Sequence, residues 1–192
     1  MKRSEFSTRL IILVMILAGC EKPLKQDPIP IYHPKEPTYS ALEKRIREEY
    51  DYRAVFTWGQ YNDLLLELSK EKYLVLPLNE MRNTFDDSKV VVGLRHDIDM
   101  NPFKALEMAK IEKDFRIRAT YFILPTADYY GYIFMTGLNR NIGLDSLIRE
   151  LYDTGAEIGI HNDMLTAMIS YGFDPLAFNY NELAFINSLG IP

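Results

Sequence analysis

A chain of 192 residues, 47% hydrophobic and 26% charged, has the composition of an ordinary globular domain and the length to bury one sizeable core. Its formal charge of −5, from 22 basic and 27 acidic residues, disfavours nucleic acid as a partner. A single cysteine excludes a framework of internal disulfides. At the N-terminus Lys2, Arg3 and Arg9 precede an apolar run from Leu10 to Leu17 that ends in small residues. This is the pattern of an export signal over residues 1–19, and its apolar segment is shorter than the roughly 20 residues that span a bilayer comfortably. Without that segment the chain keeps 19 basic and 26 acidic residues, a charge of −7.

Leu17-Ala18-Gly19-Cys20 resembles the bacterial lipoprotein signal, in which the cysteine becomes the first mature residue and carries a diacylglycerol. The resemblance implies lipidation at Cys20 and a membrane-anchored protein of the cell envelope, outside the cytoplasm. Five prolines between Pro23 and Pro37 keep the next segment extended, so residues 20–38 are expected to be a tether reaching on the order of 50 Å from the lipid. His33 falls in it and reads as a solvated linker histidine.

Ser40-Ala-Leu-Glu43 fits a capping box opening a helix that runs to about Tyr50, and Leu64, Leu65 and Leu68 give a second amphipathic helix over Tyr61 to Lys70. Together they form a helical preface over residues 39–88. Tyr73 to Leu78 reads as an edge strand or an extended connection, because Pro77 removes a ladder donor. Thr84-Phe-Asp-Asp87 reads as a turn.

From residue 89 the pattern becomes regular, short β-rich runs alternating with helical stretches, as in a parallel sheet built of βα units. Lys89 to Arg95 is the first strand, followed by a helix from Pro102 to about Phe115 with Asn101 as its N-cap and Ala105, Met108, Ala109 and Ile111 on its core face. The second strand, Ile117 to Leu124, leads through a Tyr-rich loop to a helix from Leu144 to Thr154 that Gly155 stops. Ala156 to Ile160 is the third strand. A last helix, capped by Asp174 with Pro175 in its first turn, runs to about Leu189 and Gly190. Three parallel strands leave two open edges, so a partial (β/α) barrel is expected in a truncated protein.

The chemistry gathers where strands end. Val90-Val-Val-Gly-Leu-Arg95-His96-Asp97-Ile98-Asp99 is an apolar run closing in groups able to bind a metal or move a proton. Ligands collect outside the carboxyl ends of parallel strands, and alternation sends Asp97 and Asp99 to the same side with Ile98 away from them. His161 closes the third strand at the same end of the sheet. Strands two apart are separated by roughly 10 Å, which an imidazole and a carboxylate can span around a shared cation. Asp163 either turns toward the same place or caps the next segment.

Gly93-Leu-Arg-His96-Asp97-Ile-Asp99, the Asn101-Pro102 helix start with Ala105-Leu-Glu-Met-Ala109, Ala119-Thr-Tyr-Phe122 and Gly155-Ala-Glu-Ile-Gly-Ile-His161 resemble the polysaccharide deacetylases, the NodB-like esterases of carbohydrate esterase family 4, over about residues 90–192. The resemblance implies an α/β fold, a partial (β/α) barrel of that type, with Asp97 as general base and Asp99 and His161 as ligands of a divalent metal, zinc foremost. The family's second histidine falls on Leu165 here, leaving Asp163 or water to complete the ligand set. Arg95, Tyr129 and Tyr130 are expected to contact substrate, the tyrosines by stacking on sugar rings. The function implied is a membrane-anchored, metal-dependent hydrolase that removes acetyl groups from a polysaccharide or peptidoglycan, in a truncated or inactive copy. A non-catalytic glycan-binding surface lipoprotein is the alternative, and a divalent-metal hydrolase of small amides a third.

Overall fold

The computed structural model describes residues 13–17 (backbone), 44, 57–84, 86–134 and 137–192. Cys20, the tether with His33, and the helix expected from Ser40 to Tyr50 apart from Lys44 lie outside the described residues. The fold is α/β, a parallel sheet with helices packed against it.

The elements are β1 (Leu13–Leu17), α1 (Trp58–Leu68), β2 (Tyr73–Leu76), α2 (Leu78–Met81), β3 (Val90–Ile98), α3 (Pro102–Asp114), β4 (Thr120–Ile123), β5 (Gly131–Phe134), β6 (Gly137–Arg140), α4 (Leu144–Asp153), β7 (Glu157–Ile160), α5 (Met164–Ile169) and α6 (Pro175–Ser188). β3 is the hub of the sheet. β2 pairs with its first half, Val90 to Gly93, while β1, from the leader-like run, pairs with Gly93 to Asp97. β4 pairs with Arg95 to Ile98 and β7 with β4, every pairing parallel.

Several boundaries follow local chemistry. α1 starts three residues before the expected Tyr61, because Thr57 and Gln60 form a reciprocal capping box: Thr57 Oγ1 accepts from Gln60 N at 3.2 Å and Gln60 Oε1 from Thr57 N at 2.9 Å. The ambiguous Tyr73–Leu76 run is a strand, and Pro77 ends it. Residues 57–88 are therefore not a separate helical preface, since β2 joins the sheet and Tyr61, Leu65 and Leu68 enter the common core. The Tyr-rich loop contains an antiparallel hairpin, β5–β6, and a short helix, α5, follows β7; neither element was expected. Both are short, and a four-residue strand or six-residue helix carries too few turns for a periodic signal.

One face of the sheet holds Val92, Leu94, His96, Ile98, Tyr121, Ile123 and Ile158, buried against the helices. On α3, Ala105 and Ala109 are buried and Met108 and Ile111 pack partly against the core. Glu112 also points inward from α3 and is 1% exposed. The other face, from strand positions one residue out of phase, carries Arg95, Asp97, Thr120, Phe122, Glu157 and Gly159. α2 crosses its lower end, where Leu78 N donates to Thr120 Oγ1 at 2.8 Å. A side chain at Gly93 would run into Met81 and Leu78 there.

Gly159 has the same close-approach role beside the site. A Cβ at Gly159 would sit 2.8 Å from Phe122 Cε1, and Arg95 lies 4.4 Å over that ring. Gly159→Ala is expected to destabilise by ~1–3 kcal/mol through overpacking, a fall of several degrees in melting temperature, because ring and guanidinium must move together. A thermal melt that leaves the variant level with the parent would refute this packing account.

Candidate functional site

Asp97 and Asp99 stand on one face at the carboxyl end of β3, and His161 follows β7 at the same end, two strands away. The register aligns Asp97 with Phe122 and Gly159, and the His161 amide continues the ladder by donating to Ile123 O at 2.7 Å. The three side chains meet. His161 Nδ1 is 3.3 Å from Asp99 Oδ1 and its Nε2 is 3.7 Å from Asp97 Oδ2, so the imidazole sits between two carboxylates.

Arg95 fixes Asp97. Its Nε donates to Oδ1 at 2.7 Å and its Nη2 to Oδ2 at 3.2 Å, a fork that aims a carboxylate only 8% exposed. The arginine expected to touch substrate bonds Asp97 and stacks on Phe122. Its spacing of two along the strand puts guanidinium and carboxylate on one face.

Asp99 is perturbed. Burial foremost, with the negative charge of Asp97 adding and His161 opposing, holds its carboxyl above the usual range. Asp99 Oδ1 and His161 Nδ1 are both buried and without a hydrogen-bond partner, although they are near neighbours. Two ligands at about 2.0–2.1 Å from a tetrahedral ion stand roughly 3.3–3.4 Å apart. That separation and the paired orphan atoms fit a cation held by Asp99 and His161.

Asp163 takes the second of its two expected roles. It caps α5 by accepting from Thr166 N at 3.4 Å and accepts from Thr126 Oγ1 at 2.6 Å. Burial pushes its carboxyl up, but the hydrogen bonds from Thr126 and Thr166 and the nearby His161 outweigh it, and the net shift is below the ordinary value. Leu165, where a second histidine would stand, is 67% exposed on α5. Among the described residues no set of three or more His, Cys, Asp or Glu side chains is arranged to hold a metal ion. The geometry explains it: Asp97 and Asp99 address opposite nitrogens of His161, so only Asp99 stands beside Nδ1.

Tyr129 and Tyr130 depart from expectation. Both are fully buried and present no ring to a sugar. Tyr129 instead ties two strand ends together at the site, accepting from Leu124 N and donating to Ile98 O, each at 2.8 Å. Tyr130 donates to Glu182 of α6, which also takes the Arg140 guanidinium. Loop aromatics next to apolar residues satisfy burial first and keep their hydroxyls for internal partners.

Beneath the site, on the helix-facing side of β3, lies a polar cluster that strand reasoning did not foresee. Glu112 accepts from Tyr61, from Tyr121 at 2.8 Å and from His96 Nε2 at 2.6 Å. Burial, then the Glu112 charge, raises both tyrosine hydroxyls far above their ordinary value, so they stay donors. The signal was available, for Glu112 stands three residues after Ala109 and seven after Ala105 on the core stripe of α3.

Compared with protein-family models, with curated proteins and with solved structures, the chain matches none.

Proposed function

We propose that this chain is a divalent-cation-dependent hydrolase of the polysaccharide deacetylase type, with the partial (β/α) barrel of that family, acting on acetylated polysaccharide or peptidoglycan at a membrane through lipidated Cys20. The observation that carries the reading is the meeting of Asp97, Asp99 and His161 from two strands at one carboxyl edge, with two orphaned ligand atoms 3.3 Å apart. Zinc is the first choice of cation for one carboxylate and one imidazole, with Asp163 near enough in sequence to join by rearrangement.

Bound there, the cation would supply Lewis acidity toward an acetyl carbonyl and lower the pKa of water to about 7. The chain's own contribution is positional. Arg95 aims Asp97, a carboxylate able to take a proton from an attacking water and return it to the departing amine or hydroxyl. Tyr129 holds the ends of β3 and β4 in place beside it. Among the described residues no helix is long and apolar enough to cross a membrane; anchorage in this reading is through Cys20. Signal cleavage before Cys20 would withdraw β1 from the edge of β3.

A zinc titration of the full chain tests the metal part. One zinc per chain is expected, with affinity falling more than about a hundredfold in Asp99→Ala and in His161→Ala. Binding that survives both substitutions would sink the site. The exposed Leu165 and the two-ligand geometry favour one further reading, a glycan-binding lipoprotein without activity; it predicts no zinc at Asp99 and His161 and binding of acetylated oligosaccharide without acetate release.

A further inference from the structure

α5 and α6 each present an apolar stripe to solvent. Leu165, Met168 and Ile169 on α5 stand at spacings of three and four, and Leu176, Tyr180 and Leu183 on α6 at four and seven, so each helix carries a single stripe. All six are exposed, Ile169 by 74% and Tyr180 by 69%, and the two helices pack against each other. Phe178, Glu182 and Ile186 already bury the inner side of α6, leaving that helix apolar on two sides.

We propose that this face is the interface of a homodimer, α5–α6 of one copy against α5–α6 of a second. Charge selects the occupant. The chain is acidic at −5, but between Met164 and Leu189 its only charged residues are Asp174, at the N-cap of α6, and Glu182, buried and paired with Arg140. A two-fold interface sets a patch against itself, so in an acidic protein an uncharged patch is the one that meets its copy without like-charge repulsion. Neither helix carries a lysine or arginine, the residues an anionic bilayer would attract. Area agrees. The six exposed residues together present on the order of 700 Å², near the roughly 800 Å² each partner gives to a standard interface.

Sedimentation velocity of the full chain over a concentration series tests this. The parent is expected to show a concentration-dependent dimer. Ile169→Glu combined with Tyr180→Glu should weaken it on the order of a hundredfold or more, as should the corresponding pair of lysine substitutions. An equimolar mixture of the two variants should recover a dimer, because the face meets its own copy. Circular dichroism confirms that these exposed changes leave the fold intact; should either pair unfold the chain, Leu165→Glu with Leu176→Glu and its lysine counterpart serve the same comparison. A parent that stays monomeric throughout overturns the proposal. So does association that persists in both charged variants, which would run through the leader or another edge. Neither outcome touches the hydrolase reading.

Discussion

Asp97→Asn should lower acetate release from acetylated chitooligosaccharide or peptidoglycan by ~10²–10⁴-fold, the range that a positioned general base contributes. The amide preserves the shape of the side chain and one acceptor oxygen for Arg95, so the expected loss is in proton transfer rather than in folding. Zinc affinity should change little, because Asp97 faces Nε2 of His161 while the proposed cation lies with Asp99 on the Nδ1 side. This pairing separates roles. Asp99→Ala should lose metal and activity together, whereas Asp97→Asn should keep metal and lose activity. Activity of Asp97→Asn within a few-fold of the parent, measured with zinc supplied, would remove Asp97 from the role of base.

Glu112→Ala is expected to cost about 3–5 kcal/mol of folding stability. The substitution strips the shared acceptor from Tyr61, Tyr121 and His96 at once and opens a cavity between α3 and the sheet. His96 Nδ1 is already buried without a partner, so the imidazole has no second bond to fall back on. Glu112→Gln, which keeps the volume and one carbonyl acceptor, should lose less than half as much. Urea denaturation monitored by circular dichroism reads the difference, and a loss below about 1 kcal/mol for Glu112→Ala would show that the cluster is not a structural hub. Since His96 immediately precedes Asp97 on β3, the variant should also blur the position of the base.

Much of the scaffold was legible because its signals are local. Asn101 with Pro102 and Asp174 with Pro175 mark helix starts by supplying an acceptor and a preset φ; Asn101 accepts from Lys104 N at 3.1 Å and Asp174 from Ala177 N at 2.7 Å. Gly155 and Gly190, at φ of 98° and 77°, end helices where another residue would strain. The pairing of Asp97 with Asp99 on one face follows from strand alternation alone. What stayed hidden has a non-local cause. The first strand continues beyond Arg95 because β4 supplies a ladder as far as Ile98, a partner 25 residues away that no window around β3 contains.

By itself, then, the sequence determined an α/β chain of parallel strands whose acidic pair and histidine end two of them, since period, caps and breakers are written within a few residues. Only the tertiary structure decided how those groups are used. It bonded Arg95 to Asp97, buried Tyr129 and Tyr130, turned Asp163 to Thr126 and set Glu112 under the sheet. Each of these outcomes is a choice among partners for a polar group, settled by which elements pack together in space and which donors and acceptors water can no longer reach.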